Sequence, residues 1–324
     1  MSLLLASIVV VSFLGLWSFR KLAPLAGLLD IPGQRSQHQD ATPVGGGIVL
    51  VAICATCLVL FEERFIGAFA SIEAVSIIAV ALSLVGLMDD RFGLGSGVRL
   101  IIYFIAAGAL VTFELGGIEP WLQFLCLIAL VWTINLFNFM DGADGFAITQ
   151  ALSVLVGMVF ILLAGGGPQS DGLVATLLLL IAVCFPFVVF NWPTASLFMG
   201  DAGSIAIGFL LGAVGIHATV LDQSLGWAWV ILMAPFLLDA SLTLLIRLSK
   251  RLAPHRPHRD HVYQRLTRLT GNVAALNFGL LGLHLCWWFP LAVLSLNDIY
   301  FRGVAVILAI IPPLILLVYV RKRA

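Results

Sequence analysis

Apolar runs of membrane-crossing length recur along the whole chain, each closed by charges, Asn or a Gly/Pro cluster. Eleven can be marked, over residues 2–19, 45–61, 66–88, 100–115, 119–138, 147–164, 172–190, 203–221, 226–246, 273–294 and 302–320. A crossing takes about 20 helical residues, and lipid offers backbone groups no partner. The pattern therefore predicts an all-α polytopic bundle of about 11 transmembrane helices, with 10 as the alternative count. Loops are short, so residues 1–324 form one membrane-embedded domain.

Composition agrees. Of 324 residues 61% are hydrophobic and 10% charged, whereas a soluble domain carries about 25% charged residues. A water-facing globule of this size is excluded. The 17 basic and 17 acidic residues cancel, but their placement does not. If loops alternate between faces, 15 basic residues share one face and only Arg64 and Arg302 lie opposite. The positive-inside rule makes the first face cytoplasmic, with the N-terminus outside and the C-terminus inside. Residues 1–19 carry no basic residue ahead of the apolar run, and Arg20-Lys21 follow it. That order is the reverse of a cleavable signal peptide and predicts a retained span.

Five aspartates gather at span ends on the basic face: Asp89 and Asp90, Asp141 and Asp144, and Asp201. Burying each in lipid costs about 2.5–3.5 kcal/mol, so they either cap helices or share a wet cleft or a cation. Asn135, Asn138, Asp141 and Asp144 recur every third residue and, on a helical extension, make one polar stripe facing a common pocket. Asp89 and Asp90 are adjacent, hence about 100° apart on a helix, and do different jobs. Carboxylates among glycines suit a hard cation such as Mg²⁺, whose shell phosphate oxygens complete. Residues 247–272 hold seven basic residues, one acidic residue and His255, His258 and His261. Zinc binding and a lipid-anchoring basic patch are alternatives for this loop, and an anion site for a pyrophosphate fits best. The small patch and zero net charge argue against nucleic acid. Gly45-Gly46-Gly47 either brings backbone to a ligand or lets span 2 pack closely. Asp239, inside span 9, is either functional or a helix-to-helix hydrogen bond. The five Cys lie in spans and read as small hydrophobes, and His217 and His284 read as structural.

Together these motifs resemble those of the polyprenyl-phosphate N-acetylhexosamine-1-phosphate transferases, glycosyltransferase family 4. The resemblance runs from Leu29 to Gly271. It covers Leu29–His38 with Thr42–Gly47, Asp89-Asp90, Asn135–Gly145, Asn191-Trp192-Pro193 with Phe198–Ser204, and His258–Leu266 in the form of the lipopolysaccharide and O-antigen branch. It implies transfer of N-acetylhexosamine-1-phosphate from a UDP-N-acetylhexosamine to undecaprenyl phosphate, releasing UMP and initiating an O-antigen or other cell-envelope glycan. Mg²⁺ is the implied cofactor, with Mn²⁺ as a substitute, in the bacterial inner membrane with a cytoplasm-facing site. The implied metal residues are Asp90 and Asp201, and the catalytic ones Asp89, Asp90, Asp141, Asp144, His258 and His261. Substrate binding falls to Asn135, Asn138, Asn191, Arg259, Arg265, Gly45 and Gly46. The site would sit on loops 20–46, 89–99, 138–146, 191–203 and 247–272, and a homodimer is an allowed assembly. The chain departs from many relatives at Val44 and Ser196, where they carry basic residues. A lipid phosphate is already mostly dianionic near pH 7, so direct attack on the sugar-bearing phosphorus is expected, with a covalent aspartyl intermediate as its rival. Ion-coupled transport of an anion is the alternative function. Clustering of the acids at one face, rather than at mid-span, disfavours it.

Overall fold

A computed structural model describes residues 1–32, 40–165, 171–252 and 258–323. Expectations touching Arg35, His38, His255 and Arg256 lie outside the described residues. The described helices are α1 Ser2–Leu22, α2 Gly47–Leu60, α3 Ile72–Phe92, α4 Ser96–Leu115, α5 Pro120–Met140, α6 Phe146–Gly165, α7 Asp171–Asn191, α8 Asp201–Leu221, α9 Gln223–Ser249, α10 Val262–Thr270, α11 Val273–Leu283, α12 Phe289–Leu294 and α13 Ile299–Arg323. A π-helical turn, His284–Trp288, joins α11 and α12 into one span. Ten described helices are long and apolar enough to cross a membrane.

The eleventh apolar segment is real but short. α2 has 14 residues, about 21 Å at 1.5 Å per residue, well under a hydrocarbon core of about 30 Å. α3 starts at residue 72 rather than at 66 as expected. Ser71 accepts a hydrogen bond from the Ala74 amide at 3.1 Å and caps α3. The preceding stretch folds inward, burying Phe65 and Ala68. It is fastened by Glu114, which accepts from the Ala70 amide at 2.7 Å and meets His217 Nδ1 at 2.9 Å, while His217 Nε2 meets the Gly67 carbonyl at 3.0 Å. His217 is thus structural.

α8 is the centre of the bundle. Every residue from Ala202 to Ala218 is buried, among α2, α3, α5 and α9. Small residues allow this, since lipid tails supply no hydrophobic drive and helices associate by close packing. A methyl on Gly208 would fall 2.9 Å from the Phe137 Cβ, and one on Gly212 would fall 2.4 Å from a Leu130 methyl. Backbone also approaches backbone at the end that carries the polar residues, where a Cβ on Gly86 would lie 2.2 Å from the Asp201 carbonyl oxygen. Backbone cannot yield as a flexible side chain can. Gly86→Ala is therefore expected to lower stability by about 1–3 kcal/mol and to reduce activity by parting α3 from α8. An unchanged melting temperature would contradict this packing.

The loops at that end are stitched together. Leu29–Asp30 and Thr42–Pro43 form a short antiparallel ribbon. The Phe198 amide donates to Pro43 O (2.8 Å), and the Gly46 and Gly47 amides donate to Phe198 O and Met199 O (3.0 Å each). A Cβ on Gly47 would lie 2.0 Å from the Gly203 Cα. Gly47 thus serves the close packing of α2 against the start of α8.

Candidate active site

Two adjacent carboxylates on the last turn of α3 do separate work. Asp90 accepts from the Asp201 amide (2.9 Å) with one oxygen and from the Ala202 amide (3.2 Å) with the other, capping α8 from a neighbouring helix. These are two of the four orphan amides of a helix N-terminus, where negative charge is favoured. Gly200, at φ 71°, makes the approach feasible, because a Cβ there would sit 2.5 Å from Asp90 Oδ2. Asp89 instead accepts from the Leu94 amide at 2.6 Å and pairs with Arg99. Arg99 also donates to Asp201 Oδ2 at 2.9 Å, and Asn138 Nδ2 donates to Asp201 Oδ1 at 2.7 Å and to Ser204 Oγ at 3.0 Å.

The expected helical stripe stops partway. α5 ends at Met140, so Asn135 and Asn138 lie on the helix, Asp141 is its C-cap residue and Asp144 follows in the loop. That loop is held from α7 by Asn191, whose Oδ1 accepts from the Gly145 amide (3.0 Å) and whose Nδ2 donates to Leu197 O (3.1 Å). Asp144 Oδ2 accepts from the Ala195 amide at 2.9 Å. Asn191, expected to bind substrate, is thereby occupied in joining two loops. The Asp141 amide donates to the Asn138 carbonyl at 3.3 Å, but its carboxyl group has no hydrogen-bond partner among the described residues. Burial, with Asp201, Asp90 and Asp144 close by, pushes its carboxyl well above the usual carboxylate range.

Two cavities open here. One, of about 350 Å³, is lined by Asp90, Asp141, Asp144, Asn191, Asp201 and Arg259, with Val44 also on its wall. The other, of about 810 Å³, runs between α4, α5 and α9, with apolar walls from Leu100, Phe104, Ile128 and Trp132 and polar groups from Arg99, Asn135, Asn138, His258 and His261. Gln264 borders both. The first holds excess negative charge that a hard divalent cation would relieve. Among the described residues no three His, Cys, Asp or Glu side chains form a ready-made metal cage. This fits an ion held by one or two carboxylates and completed by phosphate oxygens and water.

The histidine loop is anchored from within the bundle. Asp239 of α9 is buried, and its carboxylate accepts from the Val262 and Tyr263 amides at 2.8 and 3.0 Å, capping α10. His261 is buried against it, Nδ1 to Oδ1 3.4 Å. Burial, then the nearby His261 and Arg247, push His258 down to about 4. It is therefore a neutral hydrogen-bonding group near pH 7. Arg259 lines the carboxylate cavity, and its buried Nη2 has no partner. Arg265, expected to bind substrate, instead donates to Asp260 (Nη2 to Oδ1 3.1 Å), which also pairs with Arg247. Arg20 Nη1 donates to the Ser196 hydroxyl at 3.1 Å.

Arg99, Tyr263, Gln264 and Asp260 were not singled out from sequence as site residues. Arg99 lies in the loop 89–99 and the other three within His258–Leu266, but their individual contacts follow only from the packing of α4 and the docking of α10.

Residues 72–219 match the model for glycosyl transferase family 4. The chain is 30% identical to an undecaprenyl-phosphate alpha-N-acetylglucosaminyl 1-phosphate transferase of Yersinia pestis, over 83% of this chain and 77% of the relative. It is 29% identical to a decaprenyl-phosphate N-acetylglucosaminephosphotransferase of Mycolicibacterium smegmatis, over 77% and 71%. A probable undecaprenyl-phosphate N-acetylglucosaminyl 1-phosphate transferase of Bacillus subtilis is 25% identical over 76% and 72%. All three are transferases by name, which leaves ion-coupled transport without support.

Proposed function

The chain belongs to the polyprenyl-phosphate N-acetylhexosamine-1-phosphate transferases of glycosyl transferase family 4, and from that premise we propose that it transfers N-acetylhexosamine-1-phosphate from a UDP-sugar to undecaprenyl phosphate, releasing UMP. The observation that carries the reading is the meeting of a carboxylate-lined cavity with a larger apolar-walled groove on one face of the bundle. A nucleotide sugar suits the first and a polyprenyl chain the second. The gathering of basic residues on that face favours a cytoplasmic site in the bacterial inner membrane. The form of His258–Leu266 favours a product that initiates an O-antigen or related envelope glycan.

In this mechanism an oxygen of the lipid phosphate attacks the sugar-bearing phosphorus. The phosphoanhydride bond to UMP breaks, and UMP carries away the bonding pair. The nucleophile is already mostly dianionic, so the protein's main tasks are alignment and neutralisation. Mg²⁺, when bound, supplies positive charge to the phosphate oxygens. Asp141 and Asp201 are its best-placed ligands. Asp90 fixes α8, and through it Asp201, and Asp89 fixes Arg99. Arg259, with its buried unpartnered Nη2, is suited to a donor phosphate. Arg99, Asn138 and neutral His258 border the groove where the lipid phosphate would arrive.

Purified protein in lipid nanodiscs is expected to release UMP from a UDP-N-acetylhexosamine only when undecaprenyl phosphate and Mg²⁺ are both present. No release with any of a panel of UDP-sugars would end the proposal. Exchange of labelled UMP into donor without lipid would replace direct attack by a covalent intermediate.

A further inference from the structure

Among the described residues, Gln264 alone lines both the carboxylate cavity and the apolar-walled groove. Its Oε1 is buried with no partner. The phenol of the preceding Tyr263 cannot supply the missing donor, because its proton goes to the Phe139 carbonyl at 3.1 Å. An unmet acceptor at the meeting point of two reactant chambers calls for a ligand that brings a donor.

The phosphates cannot be that ligand, because ionised phosphate oxygens only accept. On the transfer reading proposed above, the phosphorus under attack lies where the cavities meet, and the sugar hangs from that phosphorus through C1. The substituent on C2 is the next group along. In an N-acetylhexosamine it includes an amide N–H, which only donates and so complements an oxygen that only accepts. We infer that Gln264 is a specificity-determining residue whose Oε1 accepts a hydrogen bond from the 2-acetamido N–H of the donor sugar, selecting N-acetylhexosamines and aligning the sugar-bearing phosphorus with the lipid groove. This inference rests on the proposed transfer reaction. A site built around such a bond rejects a substrate lacking the donor, because its own buried group is then left unpaired.

The test compares wild type with Gln264→Leu, which keeps the bulk of the side chain and removes the acceptor. UMP release is measured with UDP-N-acetylglucosamine and with UDP-2-deoxyglucose, which has no donor at C2. UMP affinity is measured calorimetrically as the control for folding and for the nucleotide site. In wild type, turnover of UDP-N-acetylglucosamine establishes the reaction itself. In Gln264→Leu, kcat/KM for that donor is expected to fall roughly tenfold to a hundredfold. The value for UDP-2-deoxyglucose should stay within about twofold of wild type, as should UMP affinity, so that the preference between donors collapses. Three results would overturn the assignment: an unchanged preference, an equal loss for both donors and for UMP, or a shift only in the Mg²⁺ concentration required. The last would mean that Oε1 serves the cation. Absence of wild-type turnover would be a failure of the transfer reading and is seen before any variant is made.

Discussion

Asp141→Asn is expected to reduce UMP release by about a thousandfold or more while melting no lower than the wild type. The two halves of this result have one cause. The Asp141 carboxyl group lines the carboxylate cavity without a hydrogen-bond partner among the described residues, and burial together with Asp201, Asp90 and Asp144 raises its pKa. A carboxylate held among like charges costs stability, so replacing it by a neutral isostere relieves repulsion. The same uncommitted charge makes it the best-placed ligand for the cation that neutralises two reacting phosphates. Losing about 4 kcal/mol of such stabilisation corresponds to roughly three decades in rate. Asp90→Asn makes the contrast, since Asp90 caps α8 with both oxygens, and there stability and activity should fall together. UMP release and thermal unfolding measured on the same preparations separate the two. Near-normal turnover in Asp141→Asn would remove Asp141 from the cation site.

Asp239→Ala is expected to cost about 2–4 kcal/mol and to lower turnover by roughly a hundredfold. α10 has only nine residues, and a helix that short does not persist on its own in water. Its first turn is held by Asp239 from inside the bundle, and Thr243 Oγ1 donates to the same carboxylate at 3.2 Å. Removing the carboxylate leaves two buried amides without acceptors. It also frees the segment that positions His258, Arg259, His261 and Gln264. Asp239→Asn keeps one acceptor oxygen and should fall between wild type and Asp239→Ala. The distinguishing readout is that neither variant removes a group proposed to touch substrate, so both should regain activity as temperature is lowered. Wild-type turnover and melting in Asp239→Ala would show that α10 is anchored by other contacts.

Asp239 also marks where sequence reasoning stops. Its position inside a span raised two readings, catalytic or structural, and nothing in the neighbouring residues separates them. The choice turns on 22 residues of intervening chain bringing the Val262 amide back to within 2.8 Å. Asp89 and Asp90 show a more favourable case. Adjacent helical residues must diverge, so separate tasks were legible, but their partners, Arg99 and the amides of α8, come from other helices.

The eleven apolar segments and the clustering of the motif acids at one set of helix ends were set by the linear pattern. Burial in lipid demands long uncharged helices and leaves polar groups affordable only at their ends. Family membership was legible for a related reason, since the motif residues lie in contiguous loops. The tertiary structure alone decided which carboxylates are occupied as caps, which one is uncommitted, and that Gln264 stands between two cavities. Those properties depend on hydrogen-bond partners and distances between helices, and spacing along one chain does not encode them.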